Sequence, residues 1–125
     1  MTNALHGTAL TAVLGAPVPK ATTITPGQTE ADVELWADGV GASTGFWECT
    51  AGTFTSVRDG YSEVCQIVSG SVTIHTDGAD PFTLVAGDTV VLPDGWRGSW
   101  EVHETVRKLY VMIPTTAAAS ADDLS

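Results

Sequence analysis

Eight or nine short segments of the chain alternate apolar and polar residues or run apolar, and none extends to three turns of an amphipathic helix. They are VELWA (33–37), GFWECT (45–50), TFTSV (53–57), SEVCQIVSG (62–70), SVTIHT (71–76), PFTLV (81–85), DTVVLP (88–93), RGSWEV (97–102) and TVRKLYVMI (105–113). All are rich in β-branched and aromatic residues, and DG, SG, TDGADP, AGD and PDG separate them. Short strands spaced about ten residues apart predict an all-β sandwich or small barrel. VSGSV and HTDGADPF read as tight hairpin connections in which glycine supplies positive φ. The expected organisation is an extended N-terminal arm over 1–31, a barrel over 32–113 and a frayed tail over 114–125. The arm either lies across a partner subunit or hangs loosely.

Alternation sorts these strands into faces. Glu63, Cys65 and Ile67 share one face, and Val64, Gln66 and Val68 share the other. Gly98, Trp100 and Val102 form the interior face of their strand, opposite Arg97, Ser99 and Glu101. Lys108 and Tyr110 share a face that alternation alone does not orient. His75 falls on the polar side of its strand, His6 in the arm and His103 in a polar turn. No two histidines stand at i and i+2 on a strand, the spacing that puts two imidazoles on one face.

Charge narrows the partners. Fifteen acidic residues against five Lys and Arg give a net charge of −10. Phosphate backbones and anionic membrane surfaces would repel such a chain, so neither nucleic acid nor membrane is an expected partner. The N-terminus lacks the basic segment of a signal peptide, and no apolar run is long enough to span a bilayer. A cytoplasmic location with reduced Cys49 and Cys65 is expected, although two cysteines also permit one disulfide.

Two stretches together carry a resemblance. GTFTSVRDGYSEVCQIVSG, Gly52 to Gly70, and GDTVVLPDGWRGSWEV, with Gly87, Pro93 and Gly95 in register, resemble the two signature motifs of the cupin superfamily. The likeness extends over about 32–113 and is strongest to the branch of ureidoglycine aminohydrolase and the ethanolamine-utilisation cupin. It implies a double-stranded β-helix barrel, jelly-roll-like in outline. The family's metal-binding histidine positions fall here on Arg58, Gly60 and Gly98, and only Glu63 of the ligand set remains. One carboxylate cannot hold a transition metal against water, so neither metal nor other cofactor is expected. A metal site built from Glu63, Cys65 and His75 is disfavoured, because alternation puts His75 on the other face.

The resemblance also turns the old ligand positions toward a cavity. Glu63 and Cys65 would point inward, Arg58 and Tyr61 would sit near the mouth, and Trp100 would line the opposite strand, joined by Trp47 and Trp96. Tyr110 and Lys108 are further candidates. Trp96, in the turn PDGWRG, is the candidate stacking platform at the rim. Glu63 needs a partner, either as a buried anchor or as a ligand contact, and Arg58, Lys108 and Tyr61 are available. Two functions follow as expectations. One is a metal-independent module that binds a small polar metabolite. The other is a metal-free enzyme with Glu63 as general acid or base and Tyr61 or Lys108 stabilising charge. Cys65 has no base beside it and reads better as a structural thiol than as a nucleophile. A homodimer is expected, since open strand edges invite a second copy.

Overall fold

The computed structural model describes residues 2–115. Eight strands run in chain order: β1 (Val18–Pro19), β2 (Thr29–Ala37), β3 (Ser43–Cys49), β4 (Gly52–Val57), β5 (Tyr61–Thr76), β6 (Phe82–Val85), β7 (Thr89–Leu92) and β8 (Arg97–Pro114). All pair antiparallel, and among the described residues there is no helix, so none could cross a membrane.

The two long strands organise the molecule. The first half of β5 pairs with the last half of β8 and with β7, and β8 continues this layer through β3, β2 and β1. The second half of β5 pairs with the first half of β8 and with β6, while β4 joins the other edge of β8. Each long strand thus passes from one layer to the other, as a double-stranded β-helix requires. The apolar faces meet between the layers around Trp100, Ile74, Val72, Ile67 and Val106, all essentially inaccessible.

Two expected boundaries change. VSGSV is no hairpin, because 62–70 and 71–76 are the one strand β5. Its pairing register with β8 shifts between Ile67 and Val72. Gly70 sits there with φ of 84°, and a Cβ on it would stand 2.1 Å from the Thr105 carbonyl oxygen. A bulge and a hairpin tip ask the same of glycine, so local sequence does not separate them. Likewise 97–102 and 105–113 are one strand, β8, continuous through His103 and Glu104.

The arm lies on its own barrel. Gly15 N–H donates to Asp32 O at 2.9 Å, Ile24 N–H donates to Thr53 O at 2.9 Å, and β1 pairs with the start of β2. Arg107 donates to the carbonyls of Ala9 and Ala12 at 3.0 and 2.9 Å. These bonds cover the edges of β2 and β4 and bring Lys20 to the mouth of the barrel. Of the expected tail, 116–125 lie outside the described residues.

Candidate functional site

A cavity of about 470 Å³ opens between the layers. The alternation of β5 and β8 builds its floor. Glu63 on β5 is wholly buried, and Lys108 on β8 and Arg58 in the β4–β5 turn are nearly so. The turn is fixed by its backbone: Arg58 N–H donates to Trp96 O at 2.9 Å and Gly95 N–H to Arg58 O at 2.6 Å. So held, the guanidinium grips Glu63 Oε1 through both Nη2 and Nε, the latter at 3.1 Å. Its Nη1 donates to Ser56 Oγ and to Val57 O. Lys108 Nζ stands 2.9 Å from Glu63 Oε2, an ion pair whose direction falls short of a well-formed hydrogen bond.

Aromatic rings hold the lysine in place. Its ammonium lies 4.3 Å from the ring centre of Trp47 and 4.4 Å from that of Trp100. The negative ring faces add to the attraction of the carboxylate. Trp100 in turn stacks on Phe54 at 5.9 Å and meets Trp47 edge-on at 5.7 Å. Each such contact contributes about 0.5–1.5 kcal/mol beyond burial. Burial by itself would push the Glu63 carboxyl up, but the Lys108 ammonium and Arg58 guanidinium overcome it and hold the group below its usual range. Glu63 is therefore ionised at neutral pH.

The expected residues divide. Trp47, Arg58, Tyr61, Glu63, Trp100, Lys108 and Tyr110 all line the cavity. Two do not. Cys65 lies one step deeper along β5, between Val90 and Tyr110, wholly buried, and burial pushes its thiol up to about 12. Trp96 is no open platform. Its indole N–H donates to Thr76 Oγ1 at 2.9 Å and its half-buried ring packs against the core. His75 turns outward and pairs with Glu101 at 2.9 Å, and His103 turns outward to Thr73.

Sequence reasoning missed Lys20, Glu30 and Asp32, which also line the cavity. Lys20 Nζ is 3.3 Å from Glu30 Oε1 and 4.6 Å from the Phe54 ring centre. Glu30 Oε1 also accepts from Trp47 Nε1 at 2.9 Å. The acids at every second position of β2 were a legible signal for one polar face. Lys20 had none, since it reaches the site through the fold of the arm.

The metal that histidine-bearing cupins would hold does not fit these residues. Glu63 is flanked by two fixed cations that would repel an incoming ion. At the position of the third missing ligand, a Cβ on Gly98 would stand 2.0 Å from His75 O, so a histidine there would need the β5–β8 pairing to shift. Among the described residues, no three His, Cys, Asp or Glu side chains come together as a ligand set.

Known proteins place this arrangement in context. Residues 37–110 match the family model described as the EutQ-like cupin domain. The EutQ protein of Clostridium difficile is similar with a TM-score of 0.64 and 22% identity, over 80% of this chain and 73% of that one. The cupin domain of Schizosaccharomyces pombe Cnp3 gives 0.64 and 16%, over 75% and 71%. Ectoine synthase from P. lautus gives 0.61 and 21%, over 84% and 75%. No curated protein matches in sequence. At such identities the three structures share a fold, and their different names show how little the fold says of function.

Proposed function

We infer function from the premise that this chain belongs to the family of EutQ-like cupin domains: it is a small-molecule-binding cupin that works without a metal. Its cavity takes a small polar metabolite, with Arg58, Lys108 and Tyr61 giving polar contacts, Glu63 fixing the two cations, and Trp47, Trp100 and Tyr110 giving the walls. One observation carries this reading. Where the family signature has histidines around Glu63, this chain grips the carboxylate with a guanidinium and an ammonium. Polar groups fixed at the floor of an aromatic-walled cavity suit recognition of a small ligand.

The alternative is a metal-free hydrolase, lyase or isomerase using Glu63 as acid or base. The same contacts count against it. A carboxylate held between two cations is a weak base, and proton transfer is most effective from a group whose pKa lies near the working pH. Binding without turnover is therefore the preferred reading. A thermal-shift screen of small metabolites tests it. At least one polar compound should raise Tm, and the effect should be lost in Lys108→Met. A transition metal at one equivalent in protein purified without a histidine tag would overturn it, as would a screen without a single hit.

Two further readings complete the proposal. The protein works as a homodimer in a reducing, cytoplasmic setting. Cys49 and Cys65 are both free and buried, which supports the setting. Among the described residues, strand β6 pairs only with β5 and exposes Phe82 and Val85, an edge suited to antiparallel pairing with a second copy. Light scattering on a size-exclusion column should give the dimer mass, and Val85→Lys should shift it toward the monomer.

A further inference from the structure

We propose that the cavity ligand is a small organic carboxylate whose negative charge completes an electrostatically unbalanced floor. This rests on the reading of the cavity as a binding site and adds the chemical class of its ligand.

The imbalance is one of buried charge. Arg58 and Lys108 both pair with Glu63, and among the described residues neither pairs with any other carboxylate. Two cations against one anion leave the floor at +1. Of the five basic residues in a chain of net charge −10, Lys20, Arg58 and Lys108 line this one cavity. Buried charge is costly unless it is countered. Neither of the other acids on the wall pairs with Arg58 or Lys108. Glu30 is taken up by Lys20 and by the Trp47 indole. Asp32 is exposed to water on β2, in register with Trp47 and through it with Lys108. Two strand spacings, about 10 Å, separate the backbones of Asp32 and Lys108.

Unused hydrogen-bond donors point the same way. Lys108 carries three N–H groups and, among the described residues, meets only Glu63 Oε2 as an acceptor. Among the described residues, the buried Trp100 Nε1 meets no acceptor. A floor with surplus positive charge and surplus donors calls for an acceptor-only anion, which a carboxylate is. The walls then select its body. Trp47, Phe54, Trp100, Tyr61 and Met112 present apolar surface, which an organic acid covers and an inorganic ion leaves bare.

Calorimetric titration at pH 7 with matched probes tests this: butyrate and benzoate, the neutral butyramide and benzamide, butylammonium, and inorganic phosphate. The carboxylates should bind at least about tenfold tighter than their amides, a difference of about 1.4 kcal/mol. They should also outcompete phosphate, and butylammonium should not bind. Lys108→Met removes the surplus charge while leaving the Arg58–Glu63 pair, and should abolish the preference for carboxylate over amide. If that variant does not fold, the native chain still decides. Carboxylate affinity should fall as chloride rises, and amide affinity should not. Amides binding as tightly as acids, or phosphate binding more tightly than either acid, would overturn the carboxylate assignment while leaving a small-molecule site intact. Failure of all these probes and of the wider metabolite screen would instead remove the site itself.

Discussion

The two halves of β5 and β8 are built from the same two strands and treat charge in opposite ways. In the layer with β4 and β6, the inward face is Val72, Ile74, Trp100 and Val102, and the hydrogen-bonded pair His75–Glu101 lies outside, open to water. In the layer with β3 and β7, the inward face carries Glu63 and Lys108, which with Arg58 form the nearly buried floor of the cavity. Each layer has the same pleat and the same alternation. The difference shows that the chain keeps its costly charges paired at the floor of the cavity and its exposed polar pair where solvent screens it.

The sharpest break in this comparison is Glu63→Leu. It strands two buried cations, and unfolding in urea should show a loss of about 3–5 kcal/mol, the cost of removing one partner of a buried pair. Trp100→Ala comes next in expected effect. It removes a wholly buried ring from the stack with Phe54 and the cage of Lys108, and should cost about 3–5 kcal/mol with loss of ligand binding. Acid should separate the layers too. The folded-state pKa of Glu63 lies below its ordinary value of 4.5. The stability it contributes is therefore complete above 4.5 and drains away as pH falls through the folded value. A pH series of urea melts should show this loss in the native chain and not in Glu63→Gln. The thiols supply a smaller effect. Burial lifts Cys49 to about 11 and Cys65 to about 12, so mass spectrometry should find both unmodified by iodoacetamide at pH 8 until the chain unfolds. Glu101→Gln, at the exposed pair, should leave the melting temperature where it was.

The comparison also explains what could be read from residues alone. Alternation put Glu63 on one face with Cys65 and Ile67 and His75 on the polar side of its strand, because the pleat is a local rule that a strand obeys whatever it pairs with. The register of the two motifs gave the positions of Arg58, Glu63 and Gly98. Three features escaped for physical reasons. Gly70 looks identical at a bulge and at a turn. Trp96 in a glycine-rich turn looked open, but its indole finds Thr76 across the layer, a contact twenty residues away. Lys20 enters the cavity only because Arg107 and the edge strands hold the arm against the barrel. Each of these depends on long-range pairing, which single-strand patterning does not encode.

A carbon-detected NMR titration of the Glu63 carboxyl tests the central claim most directly. The account predicts an ionised carboxylate at pH 7 that stays ionised as the pH is lowered through 4.5, with its signal perturbed when butyrate binds. A protonation midpoint above 4.5, or a signal indifferent to every small molecule that binds the chain, would contradict it.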